Sequence, residues 1–324
     1  IGSMPWLPSR FSAESVSEAQ RKFIGTFWNT YAFYVLYAEI DQFDPTKYKL
    51  EDCQLSEMDR WVLSRLNTLV KTVDGHLDKL RITEGGRALQ AFSDELSNWY
   101  VRRSRERYWG SEMTEDKKAA YMTLYTALYT LTLLTAPFLP FMTEEIYQNI
   151  VRSVDAGAPE SVHFCDYPAA DESRIDTALE ANMARVLEIV TLGRAARNDG
   201  AVKTRQPLGL MYIQGEPLDE KYVAIVTEEL NVKKAEFLAD ASGFLSYVVK
   251  PQLKTLGPRY GKLLPKIGAH LVEAGTGNAV VKAHAAGKDY EVTIEDVFVV
   301  LGPDDVLVST GKTDGFVAAT DDEN

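Results

Sequence analysis

Apolar positions recur at helical spacing through the first half of the chain. Ile24, Phe27, Tyr31 and Val35 fall three or four residues apart and predict an amphipathic helix from Ser17 to about Ile40. Asp44-Pro45 predicts a turn. Val62, Leu66, Leu69, Val73, Leu77 and Leu80 form a second stripe, on a helix opening near Leu55-Ser56. Leu89, Phe92, Leu96 and Tyr100 form a third, with Thr83 as the expected cap. A fourth helix is predicted from about Thr114 to Thr135, with Tyr121, Leu124, Leu128 and Leu131 inward. Pro137 and Pro140 are expected to end it, and Thr143 with Glu144 and Glu145 to restart a short helix to about Val151. Long amphipathic helices joined by short turns make a helical bundle.

The pattern changes after Asp155. AGAPES reads as loop and SVHFCDYP as an extended segment ending at Pro168. A helix follows from about Ser173 to Asn198. Beyond it, short strands and helices alternate: strand-like PLGLMYIQG, a helix over Leu218–Leu230, strand-like NVKKAEFL and Phe244–Val249, and a helix after Gly257-Pro258. Strands are then expected over Tyr290–Ile294, Val297–Leu301, Val306–Ser309 and Gly315–Ala319. The expected architecture is an α-helical bundle over 1–158 followed by a smaller α/β domain over 159–324, with the helix 173–198 as junction.

Composition narrows the function classes. The 324 residues, 45% of them hydrophobic, suit two or three globular domains. The most apolar run, LYTALYTLTLLTAPFLPFM, is interrupted by threonines and prolines and suits a buried helix better than a membrane span. No secretory leader stands at the start, and IGSM reads as an expression remnant, so Ile1 is not expected to be a natural terminus. Cys53 and Cys165 form no CxxC pair, and His76, His163, His270 and His284 show no metal-ligand spacing; both facts suit a reducing cytosol and no metal site. With 35 Lys+Arg against 47 Asp+Glu, a net charge of −12 argues against a protein that coats nucleic acid generically.

Against that background, SNWYVRRSRERYWG (Ser97–Gly110) concentrates Arg102, Arg103, Arg105 and Arg107 beside Trp99, Tyr100, Tyr108 and Trp109. On a wheel of about 100° per residue, the stripe through Leu96 and Tyr100 runs on into Arg103 and Arg107, while Arg102 and Arg105 sit away from it. The expectation is that Arg103 and Arg107 face a ligand, with Trp99 and Tyr100 beside them. Arginine grips phosphate bidentately, and arginine and aromatic rings both stack on bases. The alternative is that the arginines pair with acids of neighbouring helices and that Trp99 and Trp109 are core. A second island, Lys250, Lys254, Arg259, Lys262 and Lys266, lies in a stretch without acids between Ala241 and Val272. A third pair, Lys203 and Arg205, alternates, so in an extended segment both point the same way; a solvated face is the bland reading of both. After Gly277 acids outnumber lysines, and that segment is not expected to touch phosphate. No phosphate-cradling glycine loop and no GxSxG motif occurs, and no carboxylate or Cys/His constellation declares an active site.

Several stretches in order carry a likeness: QRKFIGTFWNTYAFYVLYAEID, LSEMDRWVLSRLNTLV, LSNWYVRRSRERYW, TLLTAPFLPFMTEEIYQNI, SVHFCDYP, GRAARNDGAVKTRQPL, ELNVKKAEFL and KPQLKTLGPRYGK. Together they resemble the C-terminal half of cytosolic isoleucyl-tRNA synthetases, class I aminoacyl-tRNA synthetases, in wording similar to the eukaryote-like subgroup found in some bacteria too. WNxxxF and APFxPFxxE alone resemble the valyl and leucyl enzymes as well. The family's HIGH and KMSKS motifs do not occur here, and its editing domain is absent. The resemblance implies an anticodon-binding bundle plus an appended C-terminal domain, without catalysis on its own and without a cofactor; ATP and magnesium would serve the full-length enzyme. It implies isoleucine tRNA as partner, together with the catalytic and editing domains of the same polypeptide. Trp99, Tyr100, Arg102, Arg103 and Arg107 would then meet the anticodon arm, and Lys203, Arg205, Lys250, Lys254, Arg259 and Lys262 would grip backbone. If about four phosphates are neutralised, log K against log salt slopes at roughly −3 to −4. The competing expectation is a scaffold that docks another protein or the catalytic body, since arginine and tryptophan are also interface anchors.

Overall fold

The structure is a computed structural model and describes residues 12–239, 246–273, 275–311 and 317–319. The chain divides into two compact units, Ile1–Ala181 and Asn182–Asn324.

The first unit is a helical bundle. Helix α1 (Ala13–Ala19) leads through a π-helical turn (Gln20–Ile24) into α2 (Gly25–Asp41). Helix α3 (Glu57–Leu77) opens on a capping box: the Ser56 hydroxyl accepts from the Asp59 backbone N–H, and Asp59 answers to the Ser56 N–H. Helix α4 (Ile82–Glu95) runs through a second π-helical turn (Leu96–Val101) into α5 (Arg102–Trp109). Helix α6 (Glu115–Thr135), capped by Thr114, and α7 (Pro140–Tyr147) complete the bundle. Helix α3 packs on α4 and α6, and α2 on α4 and α6. Their facing stripes are buried: Phe27, Tyr31 and Tyr34; Val62, Leu66 and Val73; Leu89, Phe92 and Leu96; Leu124, Leu128 and Leu131. Two threonines of α6 turn their hydroxyls back onto the preceding turn, Thr126 to the Met122 carbonyl and the buried Thr132 to that of Leu128, whereas the hydroxyls of the buried Thr123 and Thr135 make no hydrogen bond.

Several expected boundaries move. Leu80 lies past the end of α3 in the left-handed region (φ 56°) and is exposed, so it does not extend the stripe. Thr83 is buried inside the first turn of α4 instead of capping it. Pro140 begins α7 at a position where no N–H is needed; it does not merely end α6. In α2 the buried face is Phe27, Thr30, Tyr31 and Tyr34, and Ile24 and Val35 are only half-buried. The segment after residue 158 stays with the bundle. Glu144 accepts from the Ser161 hydroxyl and the Val162 N–H, and Asn67 Oδ1 accepts from the Asp171 N–H.

Helix α8 (Thr177–Asp199) carries the chain across into the second unit. There β1 (Met211–Gln214) and β2 (Ala235–Leu238) pair in parallel, joined by α9 (Glu220–Leu230) as a crossover helix. Strand β3 (Ser246–Pro251) pairs antiparallel with β6 (Val306–Gly311), and β4 (Tyr290–Ile294) with β5 (Val297–Leu301). The β4–β5 hairpin turns on Glu295 and Asp296, both at positive φ (50° and 63°), as a tight two-residue loop requires. Helices α10 (Leu253–Tyr260), α11 (Leu264–Leu271) and α12 (Thr276–Ala285) lie between β3 and β4. Val249, Leu256, Ile267, Leu271, Val280, Val299 and Leu301 form a buried cluster. Helix α10 begins before Gly257-Pro258 and contains Pro258, where the sequence placed the start. Of the two terminal strand expectations, Phe244 and Leu245 lie outside the described residues, as do Gly315 and Phe316; residues 317–319 form no strand. At Gly277 a Cβ would stand 1.9 Å from the Tyr247 carbonyl oxygen, so only glycine lets α12 approach β3 so closely.

Candidate nucleic-acid interface

The arginine cluster at Arg102–Arg107 does not lie as a uniform helical wheel places it. A π-helical turn holds about one more residue than an α-helical one, so the turn at Leu96–Val101 rotates everything downstream by roughly one position. The buried stripe Leu89, Phe92, Leu96 and Tyr100 therefore continues into Ser104 and Tyr108, each 2% exposed, and not into Arg103 and Arg107. Arg103 and Arg107 flank the core, half-buried.

Arg107 is committed within the fold. Its two terminal nitrogens donate to the two carboxylate oxygens of Asp59 at 2.8 and 2.9 Å, and its Nε donates to Asp116 at 2.9 Å. Asp59 is fully buried and also accepts from the Tyr100 hydroxyl at 2.6 Å and from Ser56. Burial by itself would raise the Asp59 carboxyl; the Arg107 hydrogen bonds and charge, then Tyr100 and Ser56, hold it below the ordinary carboxylate range. Burial likewise opposes the charge on Arg107, and its bonds to Asp59 and Asp116 more than offset that. Nearby, Lys117 pairs with Asp41 at 2.6 Å, both largely buried. These groups tie the end of α2 to the starts of α3 and α6 and to the end of α5. Tyr100 and Arg107 are thus removed from the candidate ligand contacts: one ring has no exposed face, and one guanidinium is filled by carboxylates.

The outward face holds other residues. Arg102 is exposed, with its guanidinium carbon 5.7 Å from the centre of the nearly buried Trp99 ring and its Nε donating to the Asn98 carbonyl. Trp99 therefore acts as a platform under Arg102 and not as a free stacking surface. Arg105 is exposed, and Trp109, assigned to the core in the alternative reading, is 61% exposed. Arg102, Arg105 and Trp109 share the solvent side of one helix, a combination able to hold phosphate and stack on an unpaired base. The signal for Arg105 and Trp109 was present in the spacing, but only after the phase shift at the π-helical turn.

In the second unit Lys203 and Arg205 are exposed, on a turn instead of an extended segment: the Gln206 N–H donates to the Lys203 carbonyl at 2.9 Å. The alternation argument for a shared direction therefore fails. The turn is held from beneath by Arg197, 3% exposed, whose guanidinium donates to the carbonyls of Lys203, Gln206, Leu230 and Asn231. Four carbonyl dipoles stand in for a carboxylate partner. Sequence reading did not single out Arg197, because an arginine in a basic stretch gives no sign of pointing inward. Lys250, Lys254 and Lys262 are exposed, on β3, on α10 and just after it. Arg259 is only partly available: it pairs with the buried Asp305 at 2.7 Å, donates to the Val300 carbonyl and lies 5.1 Å over Tyr260. Lys266 pairs with Glu295. Among the described residues no group of three or more His, Cys, Asp or Glu side chains is placed to hold a metal, and no helix is long and apolar enough to cross a membrane.

Residues 59–212 match the family described as the anticodon-binding domain of tRNA ligase. That stretch contains the Arg102–Trp109 face, Arg197 and the Lys203–Arg205 turn. Over 317 residues the chain is 47% identical to an isoleucine–tRNA ligase of Clostridium acetobutylicum, covering 98% of this chain and 30% of that protein. It is 53% identical over 265 residues to one of Clostridium novyi, covering 82% and 25%, and 41% identical over 326 residues to one of Deinococcus radiodurans, covering 99% and 30%. The chain thus spans less than a third of the length of these relatives.

Proposed function

Because the chain belongs to the isoleucine–tRNA ligase family, we propose that it is the part of a longer ligase that holds the anticodon arm of isoleucine tRNA. The exposed Arg102, Arg105 and Trp109, inside the stretch that matches the anticodon-binding family, carry this reading. Unpaired loop bases are recognised by splaying, stacking and edge hydrogen bonds; Trp109 offers the stacking surface and the two arginines offer backbone contacts. Lys203 and Arg205, on a turn stiffened by Arg197, and Lys250, Lys254 and Lys262 are the second unit's candidates for phosphate. The HIGH and KMSKS motifs are absent from this sequence, so activation of isoleucine with ATP and magnesium is assigned to the remainder of the ligase. Cytoplasmic location is part of the same proposal.

Fluorescence anisotropy tests it, with the chain titrated against an isoleucine tRNA transcript and an anticodon-swapped transcript at two salt concentrations. Tighter binding to the cognate tRNA that weakens with salt is the expected result. Equal binding to both leaves only a non-specific RNA grip, and no binding to either overturns the proposal in favour of a docking role.

A further inference from the structure

A second cationic surface lies at the other end of the α4–α5 helix. The π-helical turn at Gln20–Ile24 places Arg21 and Lys22 on one wall of an open groove of about 690 Å³, and Arg87, Gln90 and Asp94 of α4 form the facing wall. Arg21 and Arg87 are exposed and have no ion-pair partner within 4 Å among the described residues. Of the acids nearby, Glu18 pairs with Lys22 at 2.7 Å, and Asp94 accepts from the neutral Asn98 Nδ2 at 2.6 Å, so the groove carries the two arginine charges against one carboxylate. No aromatic ring lines the groove.

The groove is continuous with the proposed anticodon face. Arg87, Asp94, Asn98 and Arg102 follow one another at seven- and four-residue helical steps and are all exposed, opposite the buried Leu89, Phe92 and Leu96. From Arg87 to Arg102 is about 22 Å at ~1.5 Å per residue.

We propose that this groove is a second RNA contact, in which Arg21 and Arg87 take backbone phosphates of the double-stranded stem whose loop lies on the Arg102–Trp109 face. The inference rests on the anticodon-arm reading and adds to it a division of labour. Cations without aromatic neighbours position a backbone and carry no sequence information, whereas the end with Trp109 is equipped to meet bases.

The test pairs the double variant Arg21→Ala, Arg87→Ala with the wild-type chain. Anisotropy is measured across a salt series with full-length tRNA, its anticodon-swapped form, and a hairpin cut to the loop and about three base pairs, short of the ~22 Å span. Both arginines are exposed, and circular dichroism checks that the variant is folded. Loss of two phosphate contacts should flatten the log K–log salt slope by about two units and weaken full-length tRNA binding on the order of 10- to 60-fold at ~0.1 M salt. The loss should be equal for both anticodons and absent for the short hairpin. If the variant binds full-length tRNA with wild-type affinity and slope, the groove inference falls while the anticodon-arm reading stands. If the wild-type chain binds no tRNA, both fall.

Discussion

Replacing Arg107 with methionine should destabilise the bundle strongly, and the loss should depend on pH. Arg107 is the only cation bonded to Asp59 among the described residues, and Asp59 is fully buried. Removing one partner of a buried ion pair costs about 3–5 kcal/mol, because the remaining charge is uncompensated. The carboxylate has an escape: it can take up a proton. With an unfolded pKa near 3.9, protonating it costs about 1.4 kcal/mol per pH unit, or ~4 kcal/mol at pH 7 and ~1.5 kcal/mol at pH 5. The Asp116 arm of Arg107 adds at most ~1 kcal/mol, since that carboxylate is 59% exposed. Arg107→Met should therefore lose about 3–4 kcal/mol at pH 7, a large fraction of a typical 5–15 kcal/mol stability, and only ~2 kcal/mol at pH 5. Urea unfolding followed by circular dichroism at both pH values measures this, through a lower midpoint with an unchanged slope. Combining the substitution with Asp59→Asn should abolish the pH dependence of the penalty. A penalty below ~1 kcal/mol at pH 7, or one equal at pH 7 and pH 5, would refute the assignment of Arg107 to the fold.

The wild-type chain should show the opposite pH response. Its Asp59 pKa is lowered by folding, so that stabilisation is present above the unfolded pKa of ~3.9 and is lost as pH falls through the lower folded value; acid titration of the urea midpoint reads it. Trp109→Ala should cost ~1–3 kcal/mol of affinity for tRNA if the ring stacks on a base, while changing the urea midpoint little because the side chain is 61% exposed. Tyr100→Phe should do the reverse, losing about 1–2 kcal/mol of stability with its hydroxyl bond to Asp59 and leaving RNA affinity unchanged. Gly277→Ala forces a Cβ onto the Tyr247 carbonyl oxygen and should destabilise the second unit by ~1–3 kcal/mol, read as earlier proteolysis of the 246–311 region.

The order and kind of the bundle helices were legible in the sequence, because burying one face of a helix imposes a three-to-four-residue period that any reader of the chain can count. Leu89, Phe92, Leu96, Leu124 and Leu128 were placed correctly for that reason alone; the strand-like segments on either side of the helix ending at Leu230 were legible too, but their parallel pairing was not. The likeness to a tRNA-ligase family was also carried by the sequence. The destination of each charge was not. Counting forward from Tyr100 assumes a constant twist, and the π-helical turn at Leu96–Val101 breaks that assumption, exchanging Arg103 and Arg107 for Ser104 and Tyr108 on the core face. Whether an arginine is available to a ligand depends on acids brought up from afar: Asp59, 48 residues from Arg107, and Asp305, 46 residues from Arg259. Periodicity is a local property of the backbone. A side chain's electrostatic partner is a property of the folded contacts, and for Arg107, Arg197 and Arg259 only the tertiary structure decided it.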